Sequence, residues 1–196
     1  MIKRVLLFTC VCTLAVLSTS AQTFRNKLFP SNEISGEEFK KQAINKIQSL
    51  QNYLEVLVKN DQNTSKTAKN AAVENAVRLF SDENRIVEVN STSRPKPRKL
   101  KVRQYLVKLA FLSEKVYDKV TIRFYDVFFI PNFKKRPDGK YEAVVSMSQK
   151  FTGEGDRPYS DVVQKNIQII LVPIQKPEGT YYEVKLGDIS ITDNNI

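Results

Sequence analysis

The sequence predicts an α+β domain in which two to three N-terminal helices pack on a strongly curved antiparallel meander of four to five strands, a cone or half-barrel. Three observations predict it. Apolar residues recur first at helical spacing and then, from about residue 120 onward, with a period of two. Turns rich in Pro, Gly and Asp separate the later segments. Connections this short join antiparallel rather than parallel strands.

The first 21 residues are typical of a secretory signal peptide. Lys3 and Arg4 precede an apolar run from Val5 to Leu17, and small residues follow it. This run is too short for a membrane-spanning helix, and no later segment comes closer to one. Cys10 is a poor lipidation site, because most of the apolar run still follows it. We therefore expect an exported protein, periplasmic or extracellular, with no transmembrane segment in its mature chain.

Composition narrows the chemistry of the exported chain. The sequence has no His, and both of its cysteines, Cys10 and Cys12, lie in the signal segment. A His-dependent nucleophile and a His or Cys metal site are therefore excluded, and we expect no metal and no cofactor. The net charge of +10 falls to +8 without Lys3 and Arg4. This charge favours an anionic surface or an acidic partner, but no nucleic-acid motif accompanies it.

Three helices are predicted before the strands. Residues 22–34 read as a tether, and Ser35 with Glu38 forms a capping box for the first helix. One apolar face of that helix carries Phe39, Ala43, Ile47, Leu50, Leu54 and Leu57. The later segments in chain order are a helix over Thr67–Phe80, a short strand over Arg85–Asn90, a loop over Ser91–Lys99 and a helix over Leu100–Ser113.

Four long strands follow, and they close a single domain that spans residues 35–192, with residues 193–196 as a tail. The strands are predicted over Val120–Ile130, Tyr141–Phe151, Tyr159–Ile174 and Tyr181–Ile191. Strict alternation places six residues of the first of these strands on one face: Val120, Ile122, Phe124, Asp126, Phe128 and Ile130. The opposite face, with Tyr125, Val127 and Phe129, is a candidate surface for a homodimer.

This order of elements resembles the nuclear transport factor two-like superfamily of cone-shaped α+β domains. The stretches Ala72–Phe80 and Arg85–Val89 are similar to that family's second helix and first short strand. The resemblance implies a concave space between helices and sheet. It implies no single activity, because the family includes isomerases, dehydratases, hydrolases and non-enzymatic binding or assembly domains. The family's His-dependent sites do not carry over to this chain.

Asp126 is the sharpest catalytic candidate. It falls in register with Phe124 and Phe128 on an apolar strand face, where burial would raise the pKa of its carboxyl and suit it to acid–base work. Tyr125 or Tyr159 would then be the acid or the hydrogen-bond donor. The alternative is a β-bulge that turns Asp126 outward, and it is the more common outcome.

Polar residues of the later strands are candidates for a ligand pocket at the mouth of the cone. They alternate with apolar residues, so several of them share a strand face. The competing interpretation is a solvated face with cross-strand ion pairs. The pocket candidates are Asp126, Gln149, Tyr159, Asp161 and Lys165.

Two clusters of cations predict a basic patch for phosphate-bearing or acidic partners. The alternative is a set of exposed, solvated loops. The patch comprises Arg94, Lys96, Arg98, Lys99, Lys101, Arg103, Lys134, Lys135 and Arg136.

These observations favour an exported, non-catalytic binding or assembly domain of the bacterial envelope, with a small ligand or an envelope protein as its partner. The alternative is a small isomerase- or hydrolase-like enzyme of the cone pocket, with Asp126 as general base. A third interpretation is adhesion to an anionic cell surface through the basic patch.

Overall fold

The computed structural model describes residues 36–60, 64–90, 96–177 and 179–192. The predicted signal peptide, the tether, Ser35, Arg94 and the tail lie outside these residues. The elements in chain order are α1 (Gly36–Val58), α2 (Lys66–Arg78), β1 (Ile86–Val89), β2 (Arg98–Lys101), α3 (Val102–Lys115), β3 (Lys119–Lys135), β4 (Tyr141–Glu154), β5 (Tyr159–Lys176) and β6 (Gly179–Ile191).

The strands form one six-stranded sheet in the order β2-β1-β6-β5-β4-β3. The predicted meander is confirmed, since β3 to β6 pair antiparallel with their neighbours. β1 joins the other side of β6 in parallel, through Val87 opposite Ile189. The predicted α+β class is therefore confirmed, with a sheet that is mixed rather than purely antiparallel.

Helix α1 fills the concave side of the sheet. All six residues of its predicted apolar face are buried, and Phe39 packs edge-on against Phe133 and Tyr182. The helix touches both β3 and β6, which two other strands separate in the sheet. In a flat sheet, strands three places apart lie roughly 14 Å from each other. One helix cannot pack closely against both strands at that distance, so the sheet curls around α1.

The start of the third helix was predicted wrongly. Residues Arg98–Lys101 form the edge strand β2, which pairs antiparallel with β1, and α3 begins only at Val102. Leu100 is buried in this strand opposite Val87, whereas its neighbours Lys99 and Lys101 are exposed. A four-residue strand with one apolar residue and three cations reads as a loop in the sequence.

The predicted faces of β3 hold only in its first half. Val120 and Ile122 are buried as expected, but a bulge between Tyr125 and Phe128 sets two residues opposite Met147 alone. Asp126 sits in the bulge with a φ of 51° and is exposed. The extra residue exchanges the faces of the strand beyond it.

The exchange corrects the prediction of a dimer face. Val127 and Phe129 pack against the core, while Phe128 (66% exposed) and Ile130 join Tyr125 on the outer face. The surface of Tyr125, Val127 and Phe129 expected from strict alternation is therefore not one face of the sheet.

Candidate functional site

A cavity of about 390 Å³ lies between α3 and the inner face of the sheet. Strands β1, β2, β4 and β5 and helix α3 contribute to it, together with Asn90 and Tyr117, so it forms only when these distant segments of the chain come together. Its lining comprises Val89, Asn90, Arg98, Leu100, Tyr105, Lys108, Leu109, Leu112, Tyr117, Gln149, Phe151, Tyr159, Asp161, Val163 and Lys165.

Strand alternation on β5 aligns the polar side of the cavity. Residues 159, 161, 163 and 165 are two apart, so their side chains point to the same face of the strand. The register of β4 against β5 places Gln149 opposite Val163 and Phe151 opposite Asp161. These pairs bring the polar residues of both strands to one wall.

Lys165 is the buried lysine of this wall. It is 2% exposed, and its Nζ donates a hydrogen bond of 2.9 Å to the backbone carbonyl of Glu88. The same Nζ lies 5.8 Å from the centre of the Tyr105 ring. Burial lowers the pKa of Lys165 to about 8, although the carboxylates of Asp161 and Glu88 oppose the change. The lysine is therefore mostly charged at pH 7 but titrates near that pH.

Tyr159 and Asp161 form a hydrogen-bonded pair in the same wall. The Tyr159 hydroxyl donates to Asp161 Oδ2 at 2.8 Å. Burial and this bond raise the pKa of Tyr159 to about 12, so the phenol keeps its proton at neutral pH. The aromatic ring of Tyr159 also lies 5.9 Å from that of Phe151. Part of the negative charge of Asp161 is thus taken up within the protein.

Tyr105 supplies the opposite side of the cavity from α3. It is buried, and burial raises the pKa of its hydroxyl, an effect that a hydrogen bond with the Gln149 side chain partly offsets. The bond links the helix to β4 across the cavity. Tyr105 therefore keeps its proton at neutral pH and contributes an aromatic ring, fixed by its hydrogen bond, to the wall of the cavity.

The cavity carries an excess of positive charge. Arg98 of β2 and Lys108 of α3 line it and are both exposed, whereas Lys165 is buried. Asp161 is the single carboxylate among the lining residues. Three cations against one carboxylate favour a ligand with negative charge.

The structure brings four of the five predicted pocket residues together. Gln149, Tyr159, Asp161 and Lys165 all line the cavity. Asp126 does not line it, because the bulge of β3 turns this residue to solvent, and Tyr125 lies on the outer face as well. The hypothesis of Asp126 as a general base inside the cone is therefore wrong in its geometry.

The sequence did not point to the contributions from α3 and β2. Arg98, Tyr105 and Lys108 precede the residues of the β5 wall by roughly 50–70 positions in the chain, and no local spacing relates them to it. The helical pattern placed Tyr105 only on an apolar face. Arg98 was assigned to a surface patch.

The predicted basic patch is divided by the fold. Arg98, Lys99 and Lys101 lie in β2 and Arg103 in α3, with Lys96 just before β2 and Arg94 outside the described residues. Lys134 and Lys135 end β3 at the opposite edge of the sheet, and Arg136 follows them. Several members are also paired: Lys99 lies 3.4 Å from Glu88, and Arg103 forms hydrogen bonds with Glu74. The cations therefore do not form the single surface that was expected.

The part of the chain that the structure describes was also compared with the requirements of a metal site and of a membrane-spanning helix. There, no three His, Cys, Asp or Glu side chains cluster in a way that could hold a metal ion. Within the same residues, no helix has the length and apolar character needed to cross a membrane.

Comparisons with known proteins give a likeness to solved structures alone. No family model and no curated protein matches the chain. It is similar to ActVI-ORFA from Streptomyces coelicolor at 12% identity, over 81% of this chain and 99% of that one, with a TM-score of 0.45. The Kfla4162 protein from Kribbella flavida gives 12% identity, 80% and 95% coverage and a TM-score of 0.39.

A third similar structure is a phenazine biosynthesis-related protein from Pseudomonas aeruginosa. It shares 10% identity over 83% of this chain and 84% of that one, with a TM-score of 0.34. These likenesses span most of each chain. At such identities and TM-scores they support no conclusion about activity or substrate.

Proposed function

We propose that this chain is an exported binding domain whose cavity takes a small ligand with an aromatic or apolar body and an anionic group. One observation carries the proposal: aromatic walls and cations converge on the same enclosed space. Tyr105, Phe151 and Tyr159 provide flat apolar surface, while Lys165 at depth and Arg98 at the rim provide positive charge. Ligand sites in proteins combine an apolar lining with a few placed polar groups in this way.

The charge of the cavity favours an anion over a cation. Asp161 already accepts a hydrogen bond from the Tyr159 hydroxyl, and this weakens the attraction of the carboxylate for a cationic ligand. Among the described residues, Lys165 has one hydrogen bond, to the carbonyl of Glu88, so an entering carboxylate would meet an ammonium with N–H donors to spare. An ion pair formed out of water in such a site is stronger than one on the surface.

A matched pair of probes tests this function. We would titrate the protein, purified after expression of the full chain, with 2-naphthoate and with the neutral 2-naphthamide by calorimetry. We expect the carboxylate to bind at least tenfold more tightly, and Lys165→Met to remove this preference. Lys185→Met, which changes a lysine ion-paired to Glu183 outside the cavity, is the control. Equal binding of both probes, or a preference that survives in Lys165→Met, would contradict the proposal.

The alternative of an enzyme with Asp126 as general base in the cavity does not hold, because Asp126 lies outside the cavity. An assembly role with an envelope protein remains the competing function, and the probes distinguish it. A protein that binds neither naphthalene compound has no ligand site of the proposed kind, and its partner would then be sought at the outer surface.

Export is the second part of the proposal and rests on residues 1–21. We expect the purified protein to begin at Gln22, because the small residues before it suit signal peptidase. Intact mass and N-terminal sequencing after expression of the full chain measure this. A protein that keeps Met1, or that begins with a lipid-modified Cys10, would overturn it.

A further inference from the structure

Two lysines are buried in the part of the chain that the structure describes, and their surroundings differ. Lys69 of α2 forms an ion pair of 3.0 Å with Glu114, as a buried cation ordinarily does. Lys165 has no carboxylate within ion-pair distance among the described residues, and its hydrogen bond goes to a neutral carbonyl. It also lines a cavity, whereas Lys69 does not line that cavity. Lys165 is thus a buried amine whose side chain forms part of the cavity wall.

The surroundings of Lys165 lower the pKa of its amine. The groups that face it are Glu88 of β1, Tyr105 of α3 and Asp161 of its own strand, with Arg98 and Lys108 further out in the cavity lining. Burial outweighs the two carboxylates, and the pKa of about 8 leaves roughly one molecule in ten with a free amine at pH 7. An ordinary lysine has about 300-fold less.

We propose that Lys165 Nζ is a nucleophile that captures a small aldehyde or ketone in the cavity as an imine. The nitrogen lone pair adds to the carbonyl carbon while the C=O π pair moves to oxygen, and one N–H proton passes to that oxygen to give a carbinolamine. The hydroxyl then leaves as water with the second N–H proton, and the nitrogen lone pair forms the C=N bond to Nζ. No oxidant, reductant or cofactor is needed, and water reverses the reaction.

The inference deepens the proposed function, because it takes the same cavity as a ligand site and names the ligand class more narrowly. An aromatic carbonyl compound would rest its ring against the walls of Phe151 and Tyr159, with its carbonyl toward Nζ. A carboxylate on the same ligand would then face Arg98 at the rim. Carbonyl compounds with an apolar body, with or without an acid group, are the class that this arrangement fits.

Reductive trapping tests the inference. The protein is incubated with 2-naphthaldehyde and sodium cyanoborohydride at pH 8, and the labelled residues are found by peptide mapping. We expect Lys165 to be labelled at least tenfold faster than any other lysine, and excess 2-naphthoate to protect it. Lys165→Met should lose this label, whereas the other buried-lysine variant, Lys69→Met, should keep it. The chain's α-amine serves as a reference, since its ordinary pKa is also near 8.

The outcomes separate the two proposals. Even labelling of all lysines, while 2-naphthoate still binds, would overturn the imine and leave the binding site in place. Failure of both probes would overturn both proposals. Peptide mapping of the labelled protein without any substitution decides the question even if Lys165→Met does not fold, because the position of the label is read in the native chain.

Discussion

Replacing Lys165 by methionine should make the protein more stable at neutral pH, although it removes a residue of the candidate site. The structure places the ammonium at 2% exposure with one hydrogen bond to Glu88 and no ion pair among the described residues. Burial lowers its pKa from 10.5 to about 8. At 1.36 kcal/mol per pH unit, keeping the charged lysine in the folded state at pH 7 costs about 3 kcal/mol.

Two losses offset part of this gain. The Glu88 carbonyl is left without its donor, at about 1 kcal/mol, and the contact of the ammonium with the Tyr105 ring is worth roughly 0.5–1 kcal/mol. The variant should therefore be about 1–2 kcal/mol more stable than the parent at pH 7. Urea unfolding followed by circular dichroism measures the difference.

The pH dependence gives the decisive part of the test. Because the folded-state pKa lies below the unfolded value, the cost is fully present below pH 8 and fades as the pH rises toward 10.5. The advantage of Lys165→Met should fall by about 2–3 kcal/mol between pH 7 and pH 10. Ionisations that are the same in the two proteins cancel in the comparison.

One control and one outcome complete the design. Lys69→Met removes the ion pair with Glu114 and should lose stability at pH 7 rather than gain it. A stability difference between Lys165→Met and the parent that stays constant from pH 7 to pH 10 would refute the account of Lys165, since a pH-independent effect is a packing effect.

Five further substitutions at four positions follow from the fold, each checked by urea unfolding. Phe128→Ala should change stability by less than about 0.5 kcal/mol because the ring is exposed, whereas Phe39→Ala should cost about 3–5 kcal/mol; equal costs would contradict the exchanged faces of β3. Asp126→Asn should be tolerated and leave 2-naphthoate binding unchanged, while Asp126→Val should cost about 1–2 kcal/mol at a φ of 51°. Gly153→Ala should cost about 1–3 kcal/mol, since its Cβ would come within 2.6 Å of the Tyr117 ring, and an unchanged stability would mean that the ring moves freely.

The sequence predicted what local periodicity determines. The face of α1 from Phe39 to Leu57 and the strands β4 to β6 follow from spacings of three or four and of two, and burial in the structure agrees with them. The same period of two placed Tyr159, Asp161 and Lys165 on one face of β5, which the structure has as a cavity wall.

The remainder depends on residues distant in the chain. β2 is a strand because β1 offers Arg98–Lys101 a partner, and its own residues have no strand pattern. The bulge at Asp126 depends on how β3 meets β4, so alternation alone assigned Phe128 and Ile130 to the wrong face. The enclosure of Lys165 needs Tyr105 from α3, sixty positions earlier in the sequence, and this contact gives the lysine its unusual surroundings.

The bulge of β3 also bears on how readily the open edge of the sheet can pair with another chain. β3 is an edge strand of 17 residues, and its outer backbone is a template for pairing with another chain. Two breaks in register, one at Asp126 and one between Ile130 and Lys134, divide it into short ladders, and Lys134 and Lys135 charge its far end. Deleting Asp126 would remove the first break and place Val127 opposite Met147, while Phe128 and Ile130 would stay on the outer face. We therefore expect the bulge at Asp126 to hinder edge-to-edge pairing of two chains along β3, the longer of the two sheet edges that the structure describes.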